Sequence, residues 1–189
     1  MKTVSELHKK KTRKPLLFIA MISIVMLFIG FTSGYIVRMA EGNWMAFDLP
    51  DAFFISTAVI MLSSIVIQKS LQAARMNDFS TVKRLLGITF LLGLAFTILQ
   101  FEGWSEMHNM GVFFTGENSN AAGSFVYVIT LVHLVHLIAG LISVFVMFLN
   151  SRNNKYTSES ALGLELGVIF WHFLGGLWIY LFLFFLFTR

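Results

Sequence analysis

The chain has 189 residues, of which 57% are hydrophobic and only 13% charged, and a mean hydropathy of +0.76. A soluble domain carries about 25% charged residues, so this is the composition of an integral membrane protein. There is no cysteine, which excludes disulfides, iron–sulfur clusters and thiolate metal sites in the chain. The net charge of +4 is no signature of nucleic-acid binding, because six of the fourteen Lys and Arg lie in the first fourteen residues, where they act as a topology signal.

Residues 1–14 read as a basic, solvated tail that includes His8. Pro15 suits the first turn of a helix, where a missing N–H is no loss. The basic run from Lys9 to Lys14 has the charge of a signal peptide, but the apolar run behind it is about 23 residues against about 7–15 for a signal sequence. No small-residue cleavage site follows, so the run reads as a retained span over about 15–37. Within it Gly30 and Gly34 form a small-xxx-small pair that lets another helix approach. Trp44, in the short polar loop that follows, reads as an interfacial anchor.

A second helix is expected over about 50–74, with Ser56, Thr57, Ser63 and Ser64 as polar points that bond back to the preceding turn or across to a neighbour. Residues 68–84 read as a polar connection. A third helix covers about 85–106, with Gln100 and Glu102 near its end, at the interface, where they need no partner. Residues 107–120 form a loop without Lys or Arg that holds a solvent-facing His108. The fourth and fifth helices cover about 121–149 and 161–187, separated by a polar stretch with Arg152 and Lys155. The fold class is thus all-α: a single five-helix transmembrane domain with no internal repeat. Twelve of the fourteen Lys and Arg fall in the tail, the second connection and the fourth, which puts the N-terminus in the cytoplasm and the C-terminus outside, in the periplasm.

The chemistry concentrates in the last two spans. His133 and His136 are three apart, about 60° on one side of the fourth helix. The fifth carries Glu165, Trp171 and His172, with Glu165 two turns from His172 along one face. Counted at 1.5 Å per residue, His136 and His172 lie at roughly 20 and 17 Å from the basic ends of their helices, at matched depth and within reach of each other. Ionisable groups at such depth face the bundle and one another. Three readings stay open on the residues alone: interhelical hydrogen bonding that fixes packing, ligation of a haem b by two histidines, and proton handling by a Glu–His chain. Gly140, Gly175 and Gly176 read as packing glycines, and the ten scattered Met as gap-fillers. No nucleophile–base pair, phosphate-binding loop or metal-ligand spacing is present in the sequence.

The segment with Thr130, His133, His136 and Gly140 resembles the Thr-x-x-His-x-x-His-x-x-x-Gly segment of cytochrome c oxidase subunit III. Glu165 followed by Trp171, His172, Phe173 and then Trp178 is similar to that family's last-helix signature, and the run from Leu92 to Gln100 to its Leu-Gly-x-x-Phe-Thr-Leu-Leu-Gln segment. The resemblance covers about residues 50–187 and is to a five-helix bacterial form without the first two of the family's seven helices. There are two departures. The first span lacks the carboxylate of larger members, and Gly103 stands where the family usually has Glu, with Glu102 one place earlier. The missing helices also remove the family's V-shaped lipid cleft.

The resemblance implies a non-catalytic subunit with no haem or copper of its own, seated beside subunit I of a haem–copper terminal oxidase, with subunit II in the same complex. It implies support of proton uptake during aerobic respiration, a place in the bacterial cytoplasmic membrane and possible membership of a respiratory supercomplex. It also implies structural phospholipid as a ligand and no nucleic-acid partner. A component of a nitric oxide reductase and a haem b anchor of another respiratory complex are the alternative readings.

Overall fold

The computed structural model describes residues 4–42, 44–116, 119–153, 156 and 161–188, with side chains from residue 12 onward. The expectation for Lys155 falls outside the described residues, and that for the His8 side chain outside the described side chains. The described chain is five helices: α1 (Val4–Ala40), α2 (Asp51–Arg75), α3 (Phe79–Asn109), α4 (Ala121–Arg152) and α5 (Leu162–Thr188). All five contain a stretch long and apolar enough to cross a membrane. Among the described residues there is no strand.

The helices overrun the apolar stretches that predict them. α1 begins at Val4, so Pro15 lies inside the helix rather than in its first turn. The preceding residues are mostly Lys, Arg, Glu and Leu, good helix formers that carry the helix beyond the apolar run. The expected polar connection over 68–84 shrinks to a turn of Met76, Asn77 and Asp78. Asn77 takes the left-handed conformation at φ 58°, which Asn tolerates better than most residues. Asp78 caps α3, accepting from the Thr81 N–H at 3.1 Å and the Thr81 hydroxyl at 2.6 Å. Those bonds, the hydroxyl's first, hold its carboxyl below the usual carboxylate range.

α2, α3, α4 and α5 close into a ring in which each packs on the next, and α1 lies outside, against α4 and α5 alone. Only 11% of the apolar stretch of α1 is buried, against 28–50% in the other four. The core faces follow an alternating spacing of three and four. On α3 the buried residues are Val82, Leu86, Thr89, Gly93, Phe96, Gln100, Gly103 and Met107. That is the spacing side-by-side helices need to keep one seam facing a neighbour.

At the end opposite the basic residues, polar groups tie the connections down. The Glu106 carboxylate accepts from the Ala52 N–H at 3.4 Å, placing negative charge at the N-terminus of α2. Asn120 caps α4 through the Ala122 N–H at 2.9 Å and also accepts from the Met45 N–H at 3.3 Å. The Tyr127 hydroxyl reaches the carbonyls of Trp104 and Val112.

The glycines divide by what a side chain would meet. A Cβ at Gly93 would strike Leu141 and Trp171, one at Gly103 the Phe53 ring, and one at Gly140 Leu174, with Trp171 in ordinary contact. At Gly34 it would reach only ordinary contact with Phe125, and at Gly175 a tight contact with Ser64. At Gly30 and Gly176 it would meet nothing within 4 Å, so these two do not serve close packing inside the chain. The expected outcome is that Gly103→Ala lowers stability in detergent by about 1–3 kcal/mol through overpacking against Phe53. Gly30→Ala, measured by the same unfolding assay, leaves it unchanged or slightly raised.

Candidate functional site

α5 inserts two tryptophans into the ring, seven residues apart and so two turns apart on one face. Trp171 is 1% exposed and lies between Gly93 of α3 and Gly140 of α4. Its indole Nε1 donates to Ser63 Oγ of α2 at 3.0 Å. Trp178 is fully buried against Phe53 of α2, Phe96 of α3 and His133 of α4. Its Nε1 donates to Thr57 Oγ1 at 2.9 Å. Each tryptophan therefore touches all three other helices of the ring.

The hydroxyls that receive these bonds have already placed their own protons. Ser63 Oγ donates to the Ile60 carbonyl at 2.7 Å, and Thr57 Oγ1 to the Phe53 carbonyl at 2.7 Å. Ser56 Oγ donates to the Phe53 carbonyl at 3.0 Å and accepts from Gln100 Nε2 of α3, also at 3.0 Å. Both uses expected of these hydroxyls thus occur at once: the proton goes back along the helix, and a lone pair goes across to a neighbour. Gln100 is 1% exposed and bonded, so it is a core residue rather than an interfacial one without a partner; Glu102 is exposed. A similar bond joins α3 to α4, from Trp104 Nε1 to Thr130 Oγ1 at 2.9 Å.

The histidines do not form one seam. His133 is fully buried among the rings of Phe28, Phe96 and Trp178, at centroid distances of 6.2, 6.2 and 5.3 Å. Neither of its ring nitrogens has a hydrogen-bond partner among the described residues. His136 turns toward α1, with its ring 5.7 Å from Phe28 and its Nδ1 2.8 Å from the Val132 carbonyl. His172 turns toward α2, with Nε2 3.1 Å from Gln68 Oε1. Matched depth does not bring His136 and His172 together, because the two rings leave their helices toward different neighbours. The haem reading, which needs two converging imidazoles, loses its geometry here.

Glu165 also has a partner other than histidine. Its Oε2 lies 3.2 Å from Lys14 Nζ of α1, both side chains partly exposed. At a second level the Thr32 hydroxyl of α1 lies 3.0 Å from the Tyr180 hydroxyl of α5. Two polar contacts thus pin the outer helix to α5. Among the described residues no group of three or more His, Asp or Glu is arranged to hold a metal ion.

The residues missed from the sequence are Trp178 as a packing centre and Gln100 and Gly93 on α3; Ser63 and Thr57 were expected to bond across, but not their donors, Trp171 and Trp178 respectively. The available signal was a shared interval. Trp171 and Trp178 repeat every seven residues on one apolar helix, and Ser56, Ser63 and Ser70 do the same on another.

Fold and side-chain arrangement define a polytopic membrane protein whose polar groups mostly bond to one another across a helical ring. A sequence profile of the cytochrome c oxidase subunit III family matches residues 16–188. The chain is 31% identical over 173 residues to a probable cytochrome c oxidase subunit 3 of Nocardia farcinica, covering 88% of this chain and 83% of that one. It has the same identity and coverage to the protein of that description from Mycobacterium tuberculosis. A cytochrome c oxidase subunit 3 of Synechocystis is 27% identical over 163 residues, covering 83% of this chain and 67% of its own. The chain belongs to the cytochrome c oxidase subunit III family.

The unpartnered imidazole gives a clean prediction. Replacing His133 by Phe keeps a ring in the aromatic cage and removes two polar atoms that bond nothing in it, a change that is neutral or stabilising for a buried unsatisfied group. The unfolding midpoint of His133→Phe in detergent is expected to equal or exceed that of the parent. A loss of more than about 1 kcal/mol would mean that the imidazole holds a hydrogen bond.

Proposed function

We propose that this chain is the non-catalytic subunit III of a haem–copper cytochrome c oxidase in the aerobic respiratory chain of a bacterium. It packs beside subunit I, in a complex that also contains subunit II, and props that subunit while it turns over and takes up protons. The redox centres belong to the partner subunits. The observation that carries this reading is the family match across all five spans.

The arrangement of side chains supports the role of a prop. Most of the polar groups between helices named above bond to partners within the chain; among the described buried side chains, Trp44 Nε1, Gln100 Oε1 and both His133 ring nitrogens are the unbonded atoms. The multi-pass chain sits in the bacterial cytoplasmic membrane, with the Lys- and Arg-rich ends of the helices in the cytoplasm by the charge rule. In that orientation the Lys14–Glu165 pair lies at the cytoplasmic edge, the side of proton entry.

The test is isolation of the native complex through a tag on this chain. A haem–copper subunit that reduces oxygen is expected to come with it, and its absence would refute the proposal. A partner that reduces nitric oxide would move the chain to the related reductase. In the same complex Glu165→Ala is expected to speed inactivation during turnover and leave the haem spectrum unchanged. The lost ion pair, being partly exposed, is worth about 1 kcal/mol or less at rest. A shifted haem spectrum would contradict a role without ligation.

A further inference from the structure

Among the described residues, three grooves between neighbouring spans differ in chemistry. The α3/α4 groove is walled by Phe90, Ile138, Ile142 and Phe145, hydrocarbon throughout. The α1/α5 groove is walled by Val25, Phe28, Ile29 and Phe173, and the hydroxyl of Tyr180 at its edge is bonded to Thr32. Acyl chains suit both. The α2/α5 groove is different: Ser64 and His172 line it beside Met61 and Ile65, and Gly175 and Gly176 lie along its α5 side.

His172 lies three residues from the middle of α5, about 5 Å along its axis, at a depth no lipid headgroup reaches. It is half-buried, and Gln68, which it bonds, is exposed. Gln68 Oε1 is an acceptor only, so the shared proton sits on His172 Nε2. That leaves the Gln68 amide N–H groups and His172 Nδ1 without a partner among the described residues. In hydrocarbon, donors and acceptors of this kind are costly unless a protein group meets them. Gly176, which lines both this groove and the α1/α5 groove, adds the shape: nothing lies within 4 Å of where its Cβ would be, so a helix backbone can approach closely there.

We infer that the α2/α5 groove is a docking site for a transmembrane helix of a partner subunit, one that presents a Ser, Thr, Asn or Gln side chain to the His172–Gln68 pair. A hydroxyl or carboxamide both donates and accepts, which is what the pair leaves open: an acceptor for the amide and a donor for Nδ1. The inference rests on the reading of the chain as an oxidase subunit and adds to it which face meets the rest of the complex.

The experiment places a benzophenone amino acid at Met61 or Ile65, both exposed walls of this groove, and at Ile142 in the α3/α4 groove as the contrast. The native complex is isolated through this chain, its haem absorbance is recorded, and it is irradiated. Positions 61 and 65 are expected to give adducts with a second polypeptide, and position 142 adducts with lipid only. Haem present with lipid adducts alone at 61 and 65 overturns the inference while leaving the proposed function standing. Absence of any haem subunit overturns both. A second measurement uses Gly176→Leu, whose Cβ meets nothing inside the chain. The haem recovered per mole of folded chain is expected to fall about tenfold, as for loss of one good interface contact. Unchanged haem recovery overturns the inference.

Discussion

An indole N–H can donate a hydrogen bond and cannot accept one, and in hydrocarbon it finds no water to receive the proton. The structure depends on how that constraint is met for Trp171 and Trp178. Each reaches a hydroxyl on α2 whose own proton is already held by a carbonyl of the preceding turn. The hydroxyl is left with lone pairs only, so it makes an acceptor that does not compete for the donor role. Gln100 uses the same device on Ser56.

Much of the remaining architecture follows from seating two large rings inside a ring of helices. Trp171 fits because Gly93 has no side chain where its ring lies, and Gly140 leaves room for Leu174 beside it. Trp178 fits against Phe53, Phe96 and His133, and Phe53 in turn needs Gly103 bare. α1 takes no part in these two tryptophan sites and is held at the outside by contacts at two levels, Lys14–Glu165 and Thr32–Tyr180. A chain built this way has its interior polarity committed to cohesion, which is what a supporting subunit of a larger membrane complex requires. The His172–Gln68 pair stands apart because it lies at the edge of a groove rather than in the core.

The number and type of spans were legible in the sequence because hydropathy over a long window reports burial in lipid directly. Their ends were not, since Lys and Arg extend a helix past the apolar run without registering as hydrophobic; α3 starts six residues before the expected Leu85, with Lys83 and Arg84 in the added stretch. The positions of His136 and His172 along the fourth and fifth helices could be counted from the sequence, but such a count says nothing of rotation about each axis. His136 faces Phe28 of α1 and His172 faces Gln68 of α2. Gln100 was misplaced because it was judged by its distance from the helix end. Its spacing from Gly93, Phe96 and Gly103 puts it on the core face. The resemblance to the family was carried by the same residues that turn out to pack the ring, Trp178 and Gly93 among them, although their role as packing residues was not evident from the motif.

The central claim is that the indole-to-hydroxyl bonds between α5 and α2 hold the ring together. It is tested most directly by a double-mutant cycle on Trp171→Phe and Ser63→Ala, read by reversible unfolding in mixed micelles. The account predicts a coupling of about 0.6 kcal/mol, and at most about 1.7, as found for hydrogen bonds between membrane helices. Additivity of the two substitutions within about 0.3 kcal/mol would contradict it.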